Sequence, residues 1–475
     1  MPNTRRIYGL VVASLLAAAA AWSAHAEDAR EAPAKDVVRL TIVHTNDLHA
    51  HLENFAAVAQ VAKDQRARNP NTLFLDAGDC ITGTPVSTFF QGTPIFEVMN
   101  AMGYDAGAIG NHEFDHGWKK LHELVDLAKR PMLCANANDP SGKPFGDAPY
   151  KVFDVGGVKV GVIGLITDDV PTITTAKASE GCTFEAPVEA ARRLVPEVRK
   201  KADMVVLLTH CGVEADAAVA GAVPGIDLIV GGHSHTRLAK AIEVKVPAAA
   251  GTATAPATPT RIVQAFRWGA CVGVVDLDWD RARNAVASFE YRLVPVADRD
   301  LPKDPAVQKI VDAWQAKIDP QMAVVIGKTK TALTPQQLRP LIERIYKDAL
   351  GADFGYQNVA GIRSGIAAGD IKVGDVVTVL PFPNTMVKIT LRGEQVPAYY
   401  RDRMGRAFDP AKDYVCATNS FVGDQCQKYL RVKDAPIEDT GLLMYDVAIE
   451  WVRAHGGFLP AGEPLPTPDE RPDPR

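Results

Sequence analysis

The sequence has no long run of basic residues and no large excess of either charge. Its 475 residues include 52 lysines and arginines against 57 aspartates and glutamates, which gives a formal net charge of −5. Because tight binding to a nucleic-acid backbone needs clustered lysine and arginine, we expect no nucleic-acid polymer as a partner. The charge predicts a solvated, mildly acidic surface.

Cysteine is also scarce, with seven residues and no Cys-x-x-Cys pair. This spacing argues against a zinc site built from thiolates, and most of the cysteines are expected to be buried free thiols. Cys416 and Cys426 form the only close pair, and the sequence leaves open whether they form a disulfide.

One apolar run near the amino terminus has the pattern of a secretory signal peptide. Arg5 and Arg6 precede apolar residues 7–22, and residues 24–26 (Ala-His-Ala) place small side chains at a cleavage site. We therefore predict a signal peptide at 1–26 and a periplasmic or secreted protein. The alternative is a membrane anchor, but the run is shorter than the roughly 20 residues that a spanning helix needs. No other apolar segment is long enough to span a bilayer, so no stable membrane anchor is expected, and the choice between Sec and Tat export stays open.

The length of the chain predicts two domains. From about residue 37 to 280, short apolar runs alternate with helical patterns, which favours an α/β architecture with a buried sheet. Asp304-Pro305 and Asp319-Pro320 are a start and a stop signal for a connecting helix. The predicted parts are a first domain at 37–300, a linker helix at 301–320, a second domain at 321–458 and a disordered, proline-rich tail at 459–475. Residues 247–260 are predicted to form an exposed loop.

Polar residues recur where five apolar runs of the first domain end. They occur in segments 44–49 (His-Thr-Asn-Asp-Leu-His), 76–79 (Asp-Ala-Gly-Asp), 110–115 (Gly-Asn-His-Glu-Phe-Asp), 209–210 (Thr-His) and 231–235 (Gly-Gly-His-Ser-His). Because open α/β sheets place their sites at the carboxyl ends of strands, we expect the five segments to converge at one edge.

The residue types in these segments suit metal binding. In Asp47-x-His49 and His233-x-His235 the side chains lie two residues apart, so an extended backbone would direct both to one side. Asp79 is a candidate to bridge two ions. Oxygen and imidazole ligands without sulfur favour Mn, Zn, Fe or Co over Ca, and the choice among these stays open. A single histidine or Asp-Gly is more often structural, but five matched segments predict a two-metal site.

Together these segments resemble the calcineurin-like metallophosphoesterases. The closer resemblance is to the family of the bacterial 5′-nucleotidase/UDP-sugar hydrolases and the animal ecto-5′-nucleotidases. It implies a four-layer α/β/β/α metallophosphoesterase domain followed by a smaller α/β substrate-binding domain. It also implies two divalent ions, one held by Asp47, His49 and His235, the other by Asn111, His210 and His233, with Asp79 bridging.

The same resemblance implies in-line attack of a metal-bound hydroxide on phosphorus. His112 would then lie beside the phosphate as a catalytic residue, oriented by Asp115. Their spacing of three residues allows the carboxylate to reach the imidazole and raise its basicity. The alternative for Asp115 is a helix N-cap, and the two roles are compatible.

In the second domain, the resemblance implies a set of substrate-binding residues. Arg363 would bind phosphate, two aromatic residues would stack on the base, and polar residues would contact the base or the ribose. The aromatic residues are Phe382 and Phe421, and the polar residues are Asn358, Asn384 and Asp424. Taken singly, these residues also fit core phenylalanines and a surface arginine. The family's glycines are replaced by Val359 and Ala360, so the preferred base stays open.

These observations predict an exported, metal-dependent phosphohydrolase, above all a 5′-nucleotidase acting on a small-molecule nucleotide. The alternatives are a phosphodiesterase for UDP-sugars or 2′,3′-cyclic nucleotides and a thiosulfohydrolase of sulfur oxidation. A metal-containing binding protein is the non-enzymatic alternative, against which the His112/Asp115 pair argues. The oligomeric state stays open.

Overall fold

The computed structural model describes residues 36–245, 259–297, 299–459 and 463–473. The predicted signal peptide and nearly all of the predicted loop at 247–260 lie outside these residues. Within the described ranges, none of the helices combines the length and apolar character that a membrane span requires.

The first domain contains two six-stranded sheets. Its strands are β1 (Val37–Thr45), β2 (Thr72–Asp76), β3 (Ala106–Ala108), β4 (Met132–Leu133), β5 (Ala137–Asn138), β6 (Tyr150–Val155), β7 (Val158–Ile166), β8 (Thr183–Phe184), β9 (Met204–His210), β10 (Leu228–Val230), β11 (Ile242–Val244), β12 (Thr260–Val263), β13 (Cys271–Asp280) and β14 (Ala285–Pro295). The strand order is β14-β13-β1-β2-β3-β4 in one sheet and β11-β12-β10-β9-β7-β6 in the other, while β5 pairs with β8.

Helices cover the outer faces of both sheets. They are α1 (Leu52–Arg68), α2 (Pro85–Phe89), α3 (Thr93–Met102), α4 (Trp118–Leu127), α5 (Val170–Ile173), α6 (Pro187–Arg199) and α7 (Val213–Ala222). The central strands carry buried apolar residues on both faces, so the middle of each sheet is covered on both sides. Ile42, Leu75, Val162 and Leu208 belong to the core between the sheets, which α1, α3 and α4 flank on one side and α6 and α7 on the other. This arrangement confirms the expected α/β/β/α layers.

The second domain is smaller and mixes helices with strands that pair antiparallel, except for the parallel pair β16 and β19. Its helices are α9 (Pro335–Leu350), α10 (Val373–Val379), α11 (Ala398–Met404), α12 (Ser420–Asp424), α13 (Cys426–Tyr429) and α14 (Met444–His455). Its strands are β15 (Val325–Thr329), β16 (Phe354–Gly355), β17 (Gly369–Lys372), β18 (Thr385–Arg392), β19 (Asp413–Asn419) and β20 (Ile437–Leu443). A four-stranded sheet has the order β16-β19-β18-β20, and β15 pairs with β17.

A single helix, α8 (Pro305–Met322), connects the domains. The Asp304 side chain caps its start by accepting from the backbone N–H groups of Ala306 and Val307. The helix packs against α1 and α3 of the first domain and α10 of the second. It continues two residues past the predicted stop at residue 320, so Pro320 lies inside the last turn, where its missing N–H costs one backbone hydrogen bond.

The carboxyl-terminal tail, for which the composition predicts disorder, contacts the second domain in the part that the structure describes, 463–473. Residues 463–473 have no regular secondary structure, yet the Arg471 guanidinium donates to both carboxylate oxygens of the buried Glu343 at 3.0 Å. A buried carboxylate needs a cation or hydrogen-bond donors, and the tail supplies both. The seven cysteines are all free in the structure, including Cys416 and Cys426, which lie in the core of the second domain.

Candidate metal centre and substrate cavity

The five polar segments meet, but they come from two sheets rather than one. Asp47, Asp79 and Asn111 follow β1, β2 and β3 of the first sheet. His210 ends β9, and the 231–235 segment follows β10 of the second sheet. The site therefore lies where the carboxyl ends of two facing sheets come together, which corrects the expectation of one sheet edge.

All seven predicted metal ligands lie in one compact cluster. The Nε2 atom of His235 lies 3.0 Å from the His49 Nε2 atom and 3.2 Å from an Asp47 carboxylate oxygen. In the other half, the His210 Nε2 atom lies 3.0 Å from an Asp79 oxygen. The remaining pair is His233 and Asn111, whose Nδ1 and Oδ1 atoms are 2.9 Å apart. Asp79 belongs to both halves, because it also lies 3.9 Å from the His49 Nε2 atom.

Backbone carbonyls fix the proton positions of two of these imidazoles. The Nδ1 atom of His49 lies 3.0 Å from the Thr82 carbonyl oxygen, and that of His210 lies 2.7 Å from the Ala77 carbonyl oxygen. A carbonyl oxygen only accepts, so each Nδ1 atom donates to it, and each Nε2 atom faces the cluster, where it would offer a lone pair to a metal ion after losing its own proton. Lone pairs and carboxylates that converge in this way fit divalent metal ions.

The backbone of the cluster is not extended, contrary to the prediction for its two spaced pairs. Five of the seven ligand candidates have positive φ angles: Asp47 (51°), His49 (47°), Asp79 (55°), His233 (75°) and His235 (51°). For residues other than glycine, this conformation costs about 1–2 kcal/mol each. Backbone hydrogen bonds between the β1 and β2 loops hold two of them, at 2.9 Å from the Asp47 N–H to Gly78 and 3.0 Å from the His49 N–H to Asp79.

The charges of the cluster keep Asp79 ionised. Burial alone would raise the pKa of its carboxyl, but the attraction of His210 and His112 holds that pKa well below its ordinary value. The buried carboxylate is therefore available as an anionic ligand shared by both halves of the cluster.

His112 and Asp115 form the expected pair at the edge of this cluster. The short 3-10 turn His112–Phe114 brings the His112 Nδ1 atom to 2.7 Å from an Asp115 carboxylate oxygen. Burial lowers the pKa of His112, but the Coulombic attraction of Asp115 and Asp79 outweighs it, and the net shift is upward. The Nε2 atom of His112 lies 3.9 Å from Asp79, so the protonated imidazole faces the candidate metal centre.

A cavity connects this cluster to the second domain. Its lining includes five of the six predicted substrate-binding residues: Asn358, Arg363, Phe382, Asn384 and Phe421. The Phe382 ring stacks on His112 with centroids 5.6 Å apart, and the Arg363 guanidinium lies 5.7 Å from the same ring. Among the described residues, the Arg363 side chain has no ion-pair or hydrogen-bond partner, so its charge is available to an anionic ligand.

Asp424 is not among the residues that line this cavity, and its contact with base or ribose stays a prediction. Its carboxylate accepts a 2.7 Å hydrogen bond from the Ala176 N–H of the first domain. The neighbouring Gln425 side chain donates to the Pro171 carbonyl oxygen at 3.3 Å. These residues join the two domains beside the cavity.

Sequence reasoning missed several lining residues, namely Thr172, Ile173, Thr174, Thr175, Lys428 and Tyr429. The first four follow β7, so the strand-end rule extends to them, but their side chains carry no charge that would have drawn attention. Lys428 and Tyr429 lie on α13, whose one short turn leaves no clear periodic pattern.

Two family models match the chain in the order of its domains. Residues 40–237 match the calcineurin-like phosphoesterases, and residues 321–402 match the 5′-nucleotidase C-terminal domain. The chain is 32% identical to protein UshA of Yersinia enterocolitica over 440 residues, covering 81% of this chain and 80% of that one. It belongs to the 5′-nucleotidase family. A 5′-nucleotidase of Vibrio cholerae is 31% identical, with 82% and 81% of the two chains covered.

Solved structures agree with this membership of the 5′-nucleotidase family. The 5′-nucleotidase precursor of Thermus thermophilus has a TM-score of 0.77 at 26% identity, covering 92% of this chain and 100% of that one. The sulfate thiohydrolase SoxB of the same organism shares the fold, with a TM-score of 0.71 at 20% identity, covering 93% and 99%. The protein is therefore a metallophosphoesterase and a hydrolase that uses divalent metal ions, as the sequence predicted.

The candidate metal centre of this 5′-nucleotidase family member is supported by a buried carboxylate that sequence reasoning also missed. Glu113 is fully buried and accepts from the backbone N–H groups of Gly110 (2.7 Å), Asp79 (3.0 Å), Cys80 (2.9 Å) and Ile81 (3.3 Å). One side chain thus fixes the loops after β2 and β3, which carry Asp79 and Asn111. The sequence shows Glu113 inside the 110–115 segment, but its hydrogen bonds form only when the two loops have folded.

We expect Glu113→Ala to lower the free energy of unfolding by at least about 3 kcal/mol, because it leaves several buried N–H groups without an acceptor. Thermal unfolding with and without a chelator measures the change. Glu123→Ala is the matched control, since the exposed Glu123 carboxylate pairs with Lys120 on the surface of α4. Equal, small changes in the free energy of unfolding of the two variants would contradict the role of Glu113 in fixing the two loops.

Proposed function

We propose that the protein is an exported 5′-nucleotidase that releases phosphate from nucleotides with two divalent ions bound at the cluster. One observation carries the proposal: a single cavity is lined by Asp79 and His112 at one end and by Asn384 and Phe421 of the second domain at the other. The residues proposed for phosphate chemistry and those proposed to recognise an aromatic, polar leaving group therefore line the same cavity.

The ligand candidates divide between two ions as the family resemblance implies. Asp47, His49 and His235 would hold one ion, Asn111, His210 and His233 the other, and Asp79 both. When bound, two such ions lower the pKa of a water molecule and compensate charge on the phosphoryl oxygens. Imidazole nitrogens and carboxylate oxygens without sulfur suit Mn, Zn, Fe or Co.

The chain's own residues supply the remaining chemistry. Arg363 presents a guanidinium to the phosphate, where two parallel hydrogen bonds to its oxygens fix the orientation. His112 holds a proton on Nε2 and donates it as a hydrogen bond to a phosphoryl oxygen, which gains charge during in-line attack. Asp115 accepts from the Nδ1–H group at 2.7 Å and thereby keeps the imidazole protonated and correctly turned.

The second domain supplies the surfaces that would select a nucleotide. Phe421 contacts Tyr429 edge to face, with centroids 5.7 Å apart, and both line the cavity. An aromatic face stacks on any base, and an amide such as that of Asn384 hydrogen-bonds to base edges. We propose export from the signal-peptide pattern at 1–26. An exported enzyme would meet its substrate outside the cytoplasm.

Phosphate release by purified protein with added Mn²⁺ tests the proposal. We expect AMP, GMP and UMP to be preferred over ethyl phosphate by at least about tenfold in kcat/KM, because stacking on a base contributes about 1–3 kcal/mol. Phe421→Ala should raise KM for AMP by about tenfold and leave ethyl phosphate unchanged. Phe408→Ala is the control, since Phe408 stacks on Tyr414 outside the cavity lining.

The other arms use UDP-glucose, 2′,3′-cyclic AMP, an aryl phosphate and a thiosulfonate, and their organic products are followed by chromatography, because only the aryl phosphate releases phosphate in a single hydrolysis. Preference for UDP-glucose would move the activity to hydrolysis of a diphosphate linkage, and preference for 2′,3′-cyclic AMP would move it to phosphodiester hydrolysis, in both cases at the same centre. Turnover of the thiosulfonate alone, or of the aryl phosphate alone, would remove the nucleotide assignment.

A further inference from the structure

The carboxyl-terminal tail forms a built contact with the second domain. The Arg471 guanidinium donates to Glu343 and also, at 3.2 Å, to the Tyr400 hydroxyl oxygen, which itself donates to Glu343 at 3.0 Å. The same guanidinium lies 3.5 Å from the centre of the Tyr399 ring. Arg471 is therefore anchored by a buried carboxylate and two aromatic side chains, not lying loosely on the surface.

From this anchor the tail reaches the loop that carries the predicted substrate-binding residues. The carboxylate of Asp473 accepts from the Val359 N–H group, with its two oxygens at 2.8 and 3.0 Å. Val359 directly follows Asn358, and a short 3-10 turn, Val359–Gly361, leads on to Arg363. Asn358, Gly361 and Arg363 line the cavity, so the tail holds the outer side of the loop whose inner side faces the substrate.

Arg339 joins the tail to the same loop. Its Nε atom donates to the Gln357 carbonyl oxygen at 2.8 Å, and its Nη1 atom donates to the Arg471 carbonyl oxygen at 2.6 Å. The guanidinium is 2% exposed and lies 3.6 Å from the Asp473 carboxylate. A buried arginine with partners on both segments couples their positions, since moving either one would leave part of its charge unpaired.

We propose that residues 469–473 are a strap that positions the substrate-binding loop 357–363, with Arg471 and Asp473 as positioning residues. The strap holds Val359 and Ala360 from outside the cavity. This keeps Asn358 and Arg363 at fixed positions for contact with a substrate. Its consequence for nucleotide binding rests on the proposed function, whereas its effect on the loop itself does not.

Two variants and one control test the strap. Asp473→Ala removes the acceptor of the Val359 N–H group and leaves the Arg471 anchor in place, while a chain ending at Pro468 removes strap and anchor together. Glu463→Gln is the control, because Glu463 belongs to the same tail but pairs with the exposed Arg344, away from the loop. Hydrogen–deuterium exchange of peptides covering 357–363 is measured on full-length, metal-loaded protein, with KM and kcat for AMP.

We expect exchange of the 357–363 peptides to rise by about tenfold or more in Asp473→Ala, since a charge-assisted hydrogen bond is lost. KM for AMP should rise about threefold to tenfold, with kcat within about twofold and metal content unchanged. The shortened chain should show the larger changes and Glu463→Gln none.

Unchanged exchange in Asp473→Ala would overturn the strap, even if the shortened chain failed to fold. Faster exchange with an unchanged KM would overturn its role in positioning substrate. A wild-type protein without activity on nucleotides would overturn the proposed function instead, and the exchange measurement would still decide whether the strap holds the loop.

Discussion

Replacing His112 with alanine is expected to lower kcat for the preferred phosphate ester by about 10²- to 10⁴-fold, the range observed when a positioned proton donor is lost. His112 bonds to Asp115 through Nδ1 and turns Nε2 toward the cluster, so the variant loses the proton that meets the phosphoryl oxygen. None of the ligand candidates hydrogen-bonds to the His112 side chain in the described structure. Metal content, measured by mass spectrometry, should therefore stay unchanged.

The chain offers a matched control for this variant. His122 also pairs with an aspartate, Asp139, at 3.1 Å, but this pair does not line the cavity. His122→Ala should leave kcat within about twofold of the wild type. A His112→Ala protein that keeps full kcat, or that loses its ions, would show that His112 is not the proton donor proposed here.

Asp79→Asn is expected to lower kcat by at least about 10³-fold and to leave fewer than two ions bound per chain. Its carboxylate lies within reach of His49 in one half of the cluster and His210 in the other, so its negative charge is what two neighbouring cations would share. An amide keeps the shape but removes that charge. Metal stoichiometry after dialysis and phosphate release with excess Mn²⁺ measure the two effects.

Asp216→Asn is the control for a buried aspartate outside the cluster. Burial raises the pKa of Asp216 to about 7, and its carboxyl accepts from the Thr209 hydroxyl at 2.7 Å. Below that pH the carboxyl is largely neutral, so an amide is a close substitute and both ions should stay bound. If Asp79→Asn bound two ions as tightly as this control, Asp79 would not be a shared ligand.

The sequence was sufficient to select the seven ligand candidates that the structure brings together, because the chemistry of metal binding limits which residue types can serve. Asp47, His49, Asp79 and Asn111 each end an apolar run, and strand ends meet in an α/β fold. What the sequence could not supply was the division of the five segments between two sheets. Short buried strands such as β3 and β10 carry the same apolar signal in either sheet, so strand pairing decides the placement.

Two features that the sequence does not predict have a common physical cause, which is contact between residues far apart in the chain. A proline-rich, charged tail predicts disorder by composition, yet Arg471 pairs with Glu343, 128 residues away. Asp424 was assigned to substrate by its motif, but a backbone N–H group of the first domain, 248 residues away, binds its carboxylate. Local composition contains no signal for either partner.

The positive φ angles of five ligand candidates lower the stability of the fold at the positions that the chemistry requires. Glycine would adopt those angles at less cost, but it offers no atom to a cation, whereas aspartate and histidine supply the atom and bear the strain. Selection for folding alone would therefore drive these positions toward glycine, and only selection for activity keeps them as they are. A descendant of this chain that had lost its activity while keeping its fold would be expected to change at these positions early.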